Sequence, residues 1–295
     1  MKISKNFLFN NFYNYLKENI SFKFKKKYNI FSDEVWNRSF EDFINTGISK
    51  IPLKVDKLVN FINSNFDYNS YQLNINDDNF QKIILKTNEW NEYGKKTYIL
   101  KINNELIEQI ILNTNLYNFI KNYYNSDFWI RNSPILSIDC KKFRKEDYSQ
   151  GLFHIDNGLH QISLMILLND IDHNNTHMEY INKTHLKNYY SRVSRSNNKF
   201  IKYTSAMKSK NKITKIIGRK GDVYIFDAGN GVHRAVYGNE NRIMCHFNFT
   251  NNFAHSDFNE LNSSKESYLS NMQTNSLIEK INSSNIKKNY FKNFT

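Results

Sequence analysis

Residues 221–235 read Gly-Asp-Val-Tyr-Ile-Phe-Asp-Ala-Gly-Asn-Gly-Val-His-Arg-Ala. A tight turn at Gly221-Asp222 leads into the apolar run Val223–Asp227, and Gly229-Asn230-Gly231 ends that run just before His233. Such a turn lets backbone and imidazole approach a site with no Cβ in the way. Outward from this stretch lie similar runs: RIMCHFNFT (242–250), HQISLMILL (160–168) and ILSIDCKKF (135–143). Turn residues bound them at Asn157-Gly158, Asn169-Asp170, Gly218 and Gly238-Asn239. Short runs rich in Ile, Leu, Val, Tyr and Phe, with turns and no strong helix between them, predict an antiparallel sandwich or barrel.

The chain before Pro134 reads differently. From Trp36 to about Asn125 the pattern is mixed and mainly helical. Val55, Leu58, Val59 and Ile62 keep the i, i+3, i+4, i+7 spacing of one helix face, and Leu112, Leu116, Phe119 and Tyr123 form a second stripe. Residues 1–35 alternate aromatics with Lys and Asn, as expected of an N-terminal extension whose helix packs on the domain. The expected organisation is this extension, one domain over 36–253 and a polar tail over 254–295. Within the domain, 36–130 is mainly helical and 131–253 is the strand-rich core, with a basic insertion at 183–215.

Composition narrows the function classes. The 295 residues are 40% hydrophobic and 15% aromatic, enough for a sizeable core. No run approaches the roughly 18–20 apolar residues that span a bilayer, and the start, MKISKNFLFNNFYNYL, lacks a small-residue cleavage site. Two cysteines, Cys140 and Cys245, are expected to be reduced thiols, so the expected location is cytoplasmic. There are 33 Lys and 8 Arg. With lysine so common, the few arginines are the better functional candidates, because a guanidinium binds in a planar fork that an ammonium cannot imitate. The net charge of +13 is concentrated: Lys183–Lys220 holds twelve basic residues and no Asp or Glu. A solvated loop and a site for an anionic group are both open readings of that segment. In the second, Lys199, Lys202, Lys208 and Lys210 are candidate substrate contacts.

The candidate chemistry begins at Gly151-Leu-Phe-His154-Ile-Asp156. Side chains two apart on an extended strand share a side, so His154 and Asp156 can converge on one point. Imidazole plus carboxylate suits a divalent metal, and His233 would complete a set of two histidines and one carboxylate. Arg242 follows, where a guanidinium can grip a carboxylate. Arg242, Met244, His246 and Asn248 fall on one strand face, while Arg234, beside His233, faces the other way. His160, His173, His177 and His185 lie in or beside polar loops and read as surface residues. His246 reads as a hydrogen-bonded core histidine.

The order His154-x-Asp156, then a Gly-Asp strand ending in His233, then Arg242 resembles the Fe(II)/2-oxoglutarate-dependent oxygenases, and within them the phytanoyl-CoA dioxygenase-like family. FEDFINTGISKIP (40–52) is similar to that family's opening of helix, glycine and strand, and 167–186 to a later strand-and-turn segment. The resemblance covers roughly 40–250. It implies an α+β fold with a double-stranded β-helix (jelly-roll, cupin-like) core and N-terminal helices packed on it. It also implies an oxidoreductase holding iron on His154, Asp156 and His233, with Arg242 taking the far carboxylate of 2-oxoglutarate. An acid at 156 implies hydroxylation, since related halogenases have a small residue there. The chain departs from the pattern at Ala235, which lacks a hydroxyl that often assists 2-oxoglutarate. The expected partners are dioxygen and a small-molecule substrate, with no membrane span and no nucleic acid. A cupin-like metal-binding protein without oxygenase activity is the alternative, followed by a basic nucleic-acid-binding protein.

Overall fold

The computed structural model describes residues 31–67, 70, 72–73, 93–99, 110, 112–125, 128–130, 134–145, 151–156, 161–186 and 212–251. The chain opens with helix α1 (Glu34–Thr46). The Asp33 side chain caps it by accepting from Val35 N, and Gly47 ends it at φ +88°. A Cβ at Gly47 would lie 2.3 Å from Tyr180 Oη, so both the turn and the close packing require glycine. Strand β1 (Ile48–Ile51) follows at once, then α2 (Asp56–Asn65) and the short strands β2 (Phe66–Asp67) and β3 (Gln72–Leu73). Next come β4 (Tyr93–Ile99), α3 (Thr114–Tyr124), β5 (Phe128–Ile130) and β6 (Ile135–Arg144). The remaining strands are β7 (Ile162–Leu167), β8 (His177–Ile181), β9 (Ile213–Ile216), β10 (Val223–Asp227), β11 (His233–Val236) and β12 (Arg242–Asn251).

All pairings between these strands are antiparallel. The large sheet runs β1-β10-β7-β12-β6-β4, with β5 paired to the end of β12, and the small sheet runs β11-β8-β9. Alternation along each strand divides the large sheet into two faces. Leu136, Ile138, Leu164, Ile166, Val223, Ile225, Ile243, Cys245 and Phe247 pack with Trp36, Phe43, Leu58, Ile62 and Phe119 of the helices. Phe119 is the centre of that layer, with Phe40 and Phe43 edge-on at 5.0 and 5.2 Å between ring centroids. On the opposite face Met165, Leu167, Tyr224, Phe226 and Met244 meet Met178, Tyr180 and Ile216 of the small sheet. Two antiparallel sheets facing each other, with helices outside the larger, make a jelly-roll core of the α+β class.

Besides helices α1, α2 and α3, the stretch 36–125 supplies two strands of the large sheet, β1 directly after Gly47 and β4. In Tyr93–Ile99 the inner and outer residues are polar or amphipathic on both faces, so period-two hydrophobicity is weak there. Helix α3 begins at Thr114, where Asn113 accepts from Leu116 N. Cys140 and Cys245 are free thiols, both buried. Among the described residues no helix is long and apolar enough to cross a membrane.

Candidate metal centre

His154, Asp156 and His233 converge between the sheets, each offering one ligand atom, all within 4.8 Å of one another. Both histidines are buried, His154 at 3% and His233 at 6% exposure. His233 opens β11, whereas His154 and Asp156 lie on an extended segment and not on a regular strand. Only an isolated bridge joins His154 to His233, with each backbone N–H donating to the other's carbonyl at 2.9 Å. A third backbone bond, from Asp156 N to Ala228 O at 2.9 Å, fixes the carboxylate end.

The ring nitrogens have defined roles. His154 Nδ1 is 2.8 Å from Leu152 O, and His233 Nδ1 is 3.0 Å from Gly231 O. A carbonyl only accepts, so each Nδ1 carries the proton and each Nε2 presents a lone pair. These two Nε2 atoms lie 3.7 and 3.4 Å from Asp156 Oδ1. Burial works to lower the pKa of His233, but the Asp156 carboxylate outweighs it and the net shift is upward. Lone pairs on two buried imidazoles and one half-buried carboxylate aimed at one point call for a cation there, a proton or a metal ion. Two imidazoles and one carboxylate fit a divalent transition metal and leave other coordination positions open.

Asp156 has a further partner that the sequence reading missed. Gln161 Nε2 donates to Asp156 Oδ2 at 2.9 Å, and also reaches Ser163 Oγ (3.2 Å) and Asn248 Oδ1 (3.4 Å). Ser163 Oγ donates to Asn248 Oδ1 at 2.7 Å. The amide therefore holds one carboxylate oxygen while the other faces the imidazoles. The alternation of HQISLMILL, which puts Gln161 and Ser163 on one side, was the available signal.

Arg242 points into the same interior, on the face shared with Met244 and His246. It is 6% exposed, and it is not open-handed: Nε and Nη2 donate to Asp139 Oδ2 at 3.0 and 2.8 Å. The register sets Lys95 on β4, Asp139 on β6 and Arg242 on β12 in one row across the sheet. Burial works to raise the pKa of Asp139, yet Arg242 and Lys95 together hold it below the ordinary carboxylate value. Burial lowers the pKa of Lys95 despite the attraction of Asp139 and, more weakly, Asp156. His246, two rows nearer the histidines, is depressed to about 3 by burial and by the charges of Lys95 and Arg242. Ser137, the next inward residue before Asp139, has a buried Oγ with no hydrogen-bond partner among the described residues. A lone acid in the apolar run ILSIDCKKF was a legible sign of a buried cation partner; nothing in the sequence marked Lys95 or Ser137.

Other candidates fall elsewhere. Arg234 faces outward and pairs with Glu179 on β8. Lys199, Lys202, Lys208 and Lys210, as well as His160, lie outside the described residues. His173 is exposed, as expected of a surface residue. His177 is not a surface residue: it is 3% exposed at the start of β8, with Nδ1 2.9 Å from Asn175 O, because a strand begins where the polar composition suggested a loop. His185 is half-buried, its Nε2 3.0 Å from Ile44 O at the end of α1.

No family model and no curated protein matches the chain. Among solved structures, it is similar to the non-heme alpha ketoglutarate dependent epimerase SnoN from nogalamycin biosynthesis (TM-score 0.49, 11% identity, covering 73% of this chain and 83% of that one). It is also similar to EctD from S. alaskensis with 2-oxoglutarate and 5-hydroxyectoine (TM-score 0.46, 12% identity, 77% and 79% covered). A third is HygX from Streptomyces hygroscopicus with nickel and 2-oxoglutarate bound (TM-score 0.44, 14% identity, 73% and 87% covered).

Proposed function

We propose that the protein is an Fe(II)- and 2-oxoglutarate-dependent dioxygenase that hydroxylates a small organic substrate. The observation that carries this reading is the convergence of His154, Asp156 and His233, with both Nε2 lone pairs and one carboxylate oxygen facing a common point. Two histidines and one carboxylate with open positions form the donor set of non-haem Fe(II) oxygenases. Iron held there with 2-oxoglutarate would supply the activation of dioxygen and the oxidation of substrate.

Charge balance supports a dicarboxylate cosubstrate. The row beside the centre holds two cationic side chains, Lys95 and Arg242, and one carboxylate, Asp139. That excess of cations over carboxylates along one row suits the far carboxylate of a dianion whose other end meets the metal. Because Asp139 occupies the Nε–Nη2 edge of Arg242, the far carboxylate would meet the guanidinium end-on. The Lys95 ammonium and the Ser137 hydroxyl would complete its contacts, Ser137 doing from β6 what Ala235 cannot. Gln161 would keep Asp156 oriented with one oxygen available. The basic segment 183–220, which follows β8 and includes β9 of the small sheet, favours a substrate carrying an anionic group.

The test is succinate formation from 2-oxoglutarate with Fe(II) under air, comparing the wild-type protein with His154→Ala. Wild-type turnover that disappears in the variant is the expected result. Tight metal binding with no 2-oxoglutarate binding or turnover would leave a metal-binding jelly-roll protein instead.

A further inference from the structure

The turn 227–231 touches more of the metal centre than any ligand does. Its Ala228 carbonyl accepts from Asp156 N at 2.9 Å, and its Gly231 carbonyl accepts from His233 Nδ1 at 3.0 Å. Its Gly229 N–H donates to Gln161 O at 2.9 Å, and the Gln161 side chain in turn holds Asp156 Oδ2. Two of the three ligands and the amide that orients one of them are thus referred to five consecutive residues. A displacement of this turn moves His233, Asp156 and Gln161 together.

What holds the turn is Asp227, a carboxylate 1% exposed. Its Oδ1 accepts from Asn230 N at 2.8 Å, its own carbonyl accepts from Gly231 N at 2.9 Å, and the Asn230 side-chain amide is 3.3 and 3.2 Å from its two oxygens. Tyr180 Oη approaches the same carbonyl at 3.3 Å and packs so closely that a Cβ on Gly231 would lie 1.7 Å from it. The other carboxylate oxygen, Oδ2, accepts from the hydroxyl of Tyr123. Tyr123 lies on α3, in the helical layer outside the jelly roll, 104 residues away in sequence. It is itself wedged edge-on against Phe43 of α1, with ring centroids 4.8 Å apart.

We infer that Tyr123 is a positioning residue for the metal centre, acting through Asp227 and the 227–231 turn on His233 and Asp156. The inference rests on the metal-binding half of the function proposed above and is independent of the cosubstrate. A buried carboxylate oxygen that loses its tyrosine donor keeps only the longer contact from the Asn230 amide, and the turn it anchors relaxes. Supporting groups of this kind change metal affinity by about 10- to 100-fold in other sites. The neighbouring Tyr124 supplies an internal control. Its hydroxyl donates to Phe249 O at 3.0 Å and accepts from Ile162 N at 3.1 Å, so it ties the same helix to strands β12 and β7 and not to the turn.

The experiment is anaerobic titration of the full-length, metal-free protein with Co(II), reading affinity and the visible absorption of the bound ion, alongside thermal unfolding of the apo-protein. Tyr123→Phe is expected to weaken Co(II) binding by about 10-fold or more and to alter the spectrum. Tyr124→Phe is expected to lower the melting temperature while leaving Co(II) affinity and spectrum as in the wild type. Should Tyr123→Phe not fold, Asn230→Ala cuts the same chain of contacts one link on and carries the same expectation. Equal affinity in Tyr123→Phe and wild type would overturn the inference, as would equal weakening by Tyr124→Phe. A wild-type protein that binds no Co(II) would overturn the metal centre itself, a separate failure visible before any variant is made.

Discussion

Arg234 and Arg242 make almost the same contact on opposite sides of the fold. Arg234 donates Nε and Nη2 to Glu179 Oε2 at 2.9 and 2.8 Å, and Arg242 donates the same atoms to Asp139 Oδ2 at 3.0 and 2.8 Å. Their surroundings differ. Arg234 lies on the outer side of the small sheet over the Phe153 ring, with 36% of its side chain exposed, while the Arg242 side chain is 7% exposed and shares its row with Lys95. Water can solvate the first pair if it separates far more readily than the second. Equal hydrogen-bond geometry therefore does not mean equal energy. The inner pair is a commitment of the fold, and the outer pair is an accessory of the surface.

The strongest way to break that comparison is Arg242→Ala. Removing one partner of a buried pair leaves Asp139 charged and unpaired, so a loss of about 3–5 kcal/mol is expected in denaturant unfolding, together with loss of 2-oxoglutarate binding. Pairing Arg242→Met with Asp139→Leu should return most of that stability without returning the binding. This separates the structural role of the pair from its role toward a ligand. If Arg242→Ala were as mild as Arg234→Ala, the distinction between the two regions would fail.

A second prediction uses pH. His246 has a folded pKa of about 3 against an ordinary value of 6.5. A depressed folded pKa gives stability that is fully present above the unfolded value and is lost as pH falls toward the folded one. Between about pH 6.5 and 3 the unfolded chain binds a proton that the folded chain refuses, which adds a slope of about 1.4 kcal/mol per pH unit. His246→Asn should flatten the acid side of the stability profile by about one proton's worth, measured by urea unfolding at a series of pH values. His177, also lowered by burial, keeps its own share of the slope.

The smallest effect belongs to the outer pair. Arg234→Gln should change stability by no more than about 1 kcal/mol and leave Co(II) and 2-oxoglutarate affinity untouched, both readable by calorimetric titration. A loss of ligand binding in this variant would mean that the outer face of the small sheet communicates with the interior.

Much of this arrangement was legible before any coordinates. Period-two alternation places Arg242, Met244 and His246 on one face, and adjacency to His233 turns Arg234 to the other. The Gly-rich turn and the His-x-Asp spacing single out three residues that the structure brings together. What was not legible depends on pairing between distant strands. Asp139 and Lys95 meet Arg242 only because β6 lies between β4 and β12, and no local pattern encodes that order. Tyr123 fitted a helix stripe correctly, yet its hydroxyl's partner lies across the layer boundary on β10. Composition misled at His177, where Asn and Asp before the strand resembled a longer loop.

The join between β8 and β9 has a consequence of its own. Ile181 pairs with Ile213, Asn182 N donates to Lys212 O at 2.9 Å, and Thr214 Oγ1 donates to Asn182 Oδ1 at 2.8 Å. The two ends of the intervening segment are thus already hydrogen-bonded to each other. Doubling the length of a segment closed in this way adds only about 0.6 kcal/mol of closure entropy. A change of length within 187–211 therefore costs little closure free energy, whereas Thr184, whose hydroxyl accepts from Val232 N at 2.8 Å beside the 227–231 turn, has to be kept.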